Sequence, residues 1–198
     1  MSAREEILSA VRRAVGPADR VEVTVPRGYR AAAPGDVDVL GLFAARVEDY
    51  RATVVRCSPA QVAPALAAAL AGASRVVVPA GFAWPVAGGL PDRGESAAEL
   101  DTLDAVVTEA TVGIATTGTL VLTHGTGQGR RALSLVPDLH VCVIRADQVV
   151  LGVPDAVVLL DASAPQTWIS GPSATSDIEL SRVEGVHGPR NLHVIVVG

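Results

Sequence analysis

The sequence predicts an α/β protein built on a largely parallel sheet, and three observations carry that reading. Short valine-rich runs alternate with alanine-rich segments of helical period. Hydrophobic residues reach 49% of 198 while aromatics make up only 3%, so Val, Ala and Leu must fill the core. Glycine or proline stands at most changes of period, where one element has to stop and the next begin. Apolar runs without polar alternation suit strands buried on both faces, which parallel sheets require.

The elements follow in order. Ser2-x-x-Glu5 has the form of a capping box, and Ile7, Leu8, Val11 and Val15 recur at helical spacing until Gly16-Pro17 stops them. Residues 19–35, with Pro26, Gly28 and Pro34, read as an extended arm, so the chain divides into a helix and arm over 1–35 and an α/β domain over 36–198. Val39, Leu42, Phe43 and Val47 share one helical face, and Ala52 to Arg56 is a strand. Ser58-Pro59 opens a helix over 60–71 that Gly72 ends, and Arg75 to Val78 is the next strand. Residues 81–100 are loop-like. Strands return at 105–108, 113–116, 120–123, 139–145 and 193–197, with a helix over 153–162 and a short strand over 166–170.

Composition removes several functions. A net charge of -5 and no dense basic run argue against nucleic acid, since phosphate neutralisation needs a basic stripe. Every basic residue is arginine, which excludes a lysine Schiff base or a phosphate-loop lysine and leaves anion recognition to Arg, hydroxyls and backbone N–H groups. Cys57 and Cys142 fit no zinc or redox pattern, and the His spacings suit no permanent metal; no cofactor is expected. No apolar run spans a bilayer and no signal core opens the chain, so a cytoplasmic protein without membrane insertion is expected.

Three polar bends carry the chemistry. Thr116-Thr117-Gly118-Thr119 is either a structural turn or a cradle of hydroxyls and N–H groups for an anion. His124 to Arg131 alternates glycines and exits on Arg130-Arg131; it fails the dinucleotide pattern because Arg130 stands where the last glycine belongs. It is an anion-binding loop through Arg130, or a hairpin with solvated arginines. Ser170-Gly171-Pro172-Ser173-Ala174-Thr175 follows a strand, and Ser176-x-x-Glu179 has the capping form, so a helix is expected near Asp177 with an anion site at a strand's carboxyl end. His187, between glycines, is the candidate general acid or base with Asp177 orienting it, or else a structural hydrogen-bonding group. His140 and His193 lie in apolar runs and read as satisfied strand residues.

The order T-G-T-L-V-L, a Gly-rich loop, R-x-L-S-L-V-P-D-L-H, S-G-P-S-A-T-S-D-I-E and G-V-H-G-P resembles the LUD-domain family from Val106 to Val197, and the N-terminal layout is similar as well. The resemblance implies a three-layer fold of the NagB/RpiA/CoA-transferase-like kind. It implies a part in oxidising L-lactate to pyruvate as the cluster-free component beside iron–sulfur lactate-utilisation proteins. Its motif residues fall on Thr117, Gly118, Thr119, Arg130, Ser134, Pro137 and His140 in the first block. In the second they fall on Ser170, Gly171, Pro172, Ser173, Thr175, Asp177, Glu179, Gly185, His187, Gly188 and Pro189. Of these, Thr117, Gly118, Thr119, Arg130, Ser134, Ser170, Gly171, Ser173, Thr175 and Glu179 are the expected ligand-binding set, for a small anionic metabolite. Thr116 stands where such proteins often carry a glutamate, which argues against carrying carboxylate chemistry to that position. The competing reading is a stand-alone hydrolase, isomerase or transferase acting on a phosphorylated or carboxylated metabolite.

Overall fold

Ser2 opens the first helix as its spacing predicts: its hydroxyl accepts from the Glu5 N–H at 3.3 Å and the Glu5 carboxylate accepts from the Ser2 N–H at 2.7 Å. The computed structural model describes residues 2–16, 24–28, 37–175, 183–184 and 188–198, with the backbone alone at 174–175 and 183–184. The helices are α1 (Ala3–Val15), α2 (Val39–Asp49), α3 (Val62–Ala69, entered through a 3-10 turn at Pro59–Gln61), α4 (Ala97–Leu100) and α5 (Val153–Val157). The strands are β1 (Thr53–Cys57), β2 (Val76–Val78), β3 (Leu90–Pro91), β4 (Ala105–Glu109), β5 (Val112–Ile114), β6 (Thr119–Leu122), β7 (Leu139–Arg145), β8 (Val149–Val150), β9 (Thr167–Ile169), β10 (Ala174–Thr175), β11 (Val183–Glu184) and β12 (Asn191–Val197).

Six strands pair in parallel in the order β1-β12-β7-β4-β2-β3. Side-chain alternation divides the apolar residues between its two faces. Val141, Val143, Ile195 and Val197 pack against Val62 and Leu66 of α3. Cys142, Ile144, Val194 and Val196 pack against Phe43 and Val47 of α2 and against Leu120 and Leu122 of a second sheet. That sheet runs β8-β5-β6-β9, with β5–β6 and β6–β9 antiparallel. Its other face carries Val112, Ile114 and Val121 under Ala156 of α5. Each fully buried Val, Leu or Phe here is worth about 1.5–3 kcal/mol, so these seams hold the layers together.

The predicted α/β class is what forms, with one change of detail: on one face helix α2 shares its layer with the four-stranded sheet. The segment 81–100, loop-like in sequence, contributes the edge strand β3 and the turn of helix α4. Phe82 and Trp84 meet edge to face at 5.5 Å and pack, partly buried, against the core on the α3 side. The helix predicted over 153–162 stops at Val157. Among the described residues no helix is long and apolar enough to cross a membrane.

Candidate functional site

The Thr116–Thr119 bend is the β5–β6 turn, and its glycine is required. Gly118 has φ +59°, and a Cβ there would lie 2.7 Å from the backbone of Arg46 at the end of α2. This close seat ties the turn to α2. The Thr117 and Thr119 hydroxyls are 2.7 Å apart, and Thr119 Oγ1 lies 2.8 Å from Ser170 Oγ. Antiparallel pairing of Ile169 with Leu120 is what brings Ser170 there. Gly171, at φ +82°, then passes against Tyr50, the residue that ends α2.

Beyond this contact a cleft of about 260 Å³ opens. Arg131 and Ser134 reach it from the 3-10 turn Arg131–Ser134, and His140 and Leu192 reach it as the second residues of β7 and β12. The strip Thr167 to Ser173 and the pair Gly188-Pro189 complete its wall, and the Ser173 N–H donates to the Pro189 carbonyl at 2.8 Å. Leu192 and His140 are register partners, so the cleft lies over the amino-terminal edge of the parallel sheet. The sequence places an anion site at a strand's carboxyl end. Ser170 does follow the carboxyl end of β9, but β9 belongs to the four-stranded sheet, where it runs antiparallel to β6, and delivers its exit to the opposite edge.

The carboxyl-terminal edge of the main sheet is occupied by the glycine-rich loop. The Glu109 N–H donates to the Gly127 carbonyl at 2.8 Å, and the Gly127 N–H donates to the Ala80 carbonyl at 2.9 Å. His124 bridges the Gly129 carbonyl and Thr167 Oγ1 at 3.1 and 2.8 Å. Arg130 is not among the cleft-lining residues: its Nε lies 3.1 and 3.2 Å from the two Asp92 oxygens, and a terminal nitrogen donates to the Glu95 carbonyl at 2.8 Å. Burial works against the Asp92 carboxylate and is the largest single influence on it, but the hydrogen bonds from Arg130 and the Gly94 N–H, the Glu95 contact and the charge of Arg130 together outweigh it and hold its carboxyl below the usual range. Arg131, its neighbour, is the arginine in the cleft. The structure therefore brings Ser134, Ser170, Gly171 and Ser173 together, joined to Thr117, Gly118 and Thr119 through Ser170, and sets Arg130 apart.

Thr175 enters β10, which pairs antiparallel with β11. Asp177, Glu179, Gly185 and His187, and the helix expected near Asp177, lie outside the described residues.

His140 is the residue whose position sequence reading underrated. It is 1% exposed, as a satisfied strand histidine should be, yet it also forms part of the cleft wall. Its Nε2 lies 2.7 Å from Thr108 Oγ1, and burial pushes its pKa down to about 4, so the ring is neutral at physiological pH. Burial pushes the nearby Cys142 thiol up to about 12. The available signal was alternation, which puts His140 on one face with Cys142 and Ile144. Among the described residues no three His, Cys, Asp or Glu side chains gather as a metal site.

Residues 82–197 match the model of the LUD domain. The chain belongs to the LUD-domain family. The LUD-domain match contains every element that lines the cleft. Across 99% of its own length the chain is 48% identical to lactate utilization protein C of Deinococcus radiodurans, covering 96% of that protein. It is 35% identical to lactate utilization protein C of Halalkalibacterium halodurans over 48% of this chain and 44% of that one. A crystal structure of a DUF162 family protein from Deinococcus radiodurans superposes with a TM-score of 0.71 at 45% identity, covering 81% of this chain and 97% of that chain.

Proposed function

We propose that this chain is the cluster-free component of an L-lactate utilisation system, acting in the cytoplasm beside iron–sulfur proteins, and that its cleft binds a small anion. The observation that carries the reading is the 48% identity to a lactate utilization protein C along nearly the full length of both chains. The cleft agrees in chemistry: Arg131 is its cation, the Ser134, Ser170 and Ser173 side chains offer hydroxyls, and no carboxylate is among its described lining residues. With two cysteines in all, one buried and one partly so, the chain has too few thiols for a four-thiolate cluster of its own, so electrons from lactate would have to leave through partners.

The test is genetic. Deleting the gene, in a strain without a second copy of similar sequence, should abolish growth on L-lactate and leave growth on pyruvate intact. Reintroducing the gene should restore it, and the tagged protein should retain iron-containing partners from lactate-grown cells. Normal growth of the deletion strain with undiminished pyruvate formation overturns the proposal.

A further inference from the structure

α3 has no polar side. Its residues, Val62–Ala69, carry no polar side chain at all, whereas α1 holds Glu5, Glu6, Arg12 and Arg13, and α2 holds Arg46, Glu48 and Asp49. Val62 and Leu66 turn inward, while Ala63, Pro64, Ala67 and Ala68 stay exposed. A helix that is apolar all round belongs in an interior. The chain beside it repeats the pattern. Charged residues make up 19% of the protein, yet from Cys57 to Pro91 the one charged side chain is Arg75, whose guanidinium donates to the Thr102 carbonyl at 2.9 Å. Phe82, Trp84 and Val86 pack, partly buried, on the same core as α3, so the two stretches form one face. Between them runs an apolar groove of about 480 Å³, with Ala63, Leu66, Ala67 and Leu70 on one wall and Pro85 and Val86 on the other.

We propose that this face is where two copies of the chain pair about a two-fold axis, the α3 ridge of each lying in the groove of the other. Charge selects the occupant. Each copy has a net charge of -5, so two copies repel one another unless they meet across a surface that holds no charge. A nucleic acid or an anionic membrane needs basic residues, and a strongly charged protein needs countercharges; this face supplies neither. An uncharged apolar face complements itself, which is what a two-fold interface demands. Its extent agrees. Of the 34 uncharged residues in the two stretches, Val62, Leu66, Leu70, Val76, Val77 and Pro79 are buried, which leaves 28 from which the roughly 20–30 residues a side of a standard interface can be drawn. The groove shares no lining residue with the amino-edge cleft, so pairing leaves the cleft of each copy open.

Sedimentation equilibrium of the purified full chain tests this. At micromolar concentration the chain is expected at twice its mass of 20.2 kDa, dissociating on dilution. Ala67→Glu sets a charge from each copy into the face at an exposed helical position that suits glutamate; the fold should be retained and self-association weakened by about a hundredfold or more. Val158→Glu, at the exposed end of α5, should leave pairing unchanged, as should removal of residues 1–16. Hydrogen exchange of the wild-type chain supplies a check that needs no variant: segments 59–72 and 80–90 should be better protected in concentrated than in dilute solution. A monomer at every concentration, pairing that Ala67→Glu does not weaken, pairing lost with Val158→Glu or with residues 1–16, or exchange in both segments indifferent to concentration would each overturn the proposal. None of these outcomes alters the growth test, so the two proposals fail separately.

Discussion

His140 couples the cleft to the stability of the whole domain through a single proton. Its folded pKa of about 4 lies below the ordinary 6.5 because a charged imidazole has no water to solvate it among Val141, Cys142 and the α2-side core. The unfolded chain therefore binds a proton near pH 6.5 that the folded chain refuses until about pH 4. Stability is full above pH 6.5 and falls as the pH drops through that window, by about 3 kcal/mol in total for this group. Urea denaturation from pH 7 to 4.5 should show the midpoint falling steadily. In His140→Phe the same titration should be flatter; an unchanged slope would mean that other groups govern the acid response.

At the scale of the element, the glycine-rich loop shows where sequence reading succeeds and where it stops. The first helix with its cap, β7 and the β5–β6 turn were legible because periodicity and turn chemistry are local. The meeting of Thr119 with Ser170 was foreshadowed by hydroxyls concentrated on bends. Which of two adjacent arginines faces the cleft was not legible. Arg130 is extended, at φ -73° and ψ 153°, while Arg131 begins the 3-10 turn. The partner that claims Arg130 is Asp92, 38 residues away, at a sheet edge known only once the chain has folded. Nor can alternation tell that the layer above His140 opens into a cleft. The consequence is measurable as a contrast between neighbours. Arg130→Ala removes a partly exposed, bidentate pair and should cost about 1 kcal/mol in urea denaturation with binding of a small carboxylate unchanged. Arg131→Ala should leave the midpoint within experimental error and weaken binding of a small carboxylate by about fivefold or more. The reverse pattern would return the cleft's cation to Arg130.

For the molecule as a whole, the question is which part of the chain the fold depends on. Among the described residues every core residue lies at or after Phe43, and α1 buries none of its thirteen. Ile7, Val11 and Val15, the apolar stripe that its sequence spacing predicts, stay 63%, 53% and 50% exposed. An amphipathic helix usually draws its stability from the face it buries, and a helix of this length is marginal by itself. The α/β body takes no comparable support from it: its two main seams are closed by α2 and α3, and the amino-edge cleft is walled by residues 131–192. A chain shortened to begin at Pro17, which removes α1 alone, should therefore unfold within about 0.5 kcal/mol of the full chain, a margin typical of changes that touch no core contact. Its affinity for a small carboxylate should be the same. Thermal unfolding and calorimetry on the two chains side by side decide the matter, and a loss of several kcal/mol would show that α1 contributes to the stability of the folded unit.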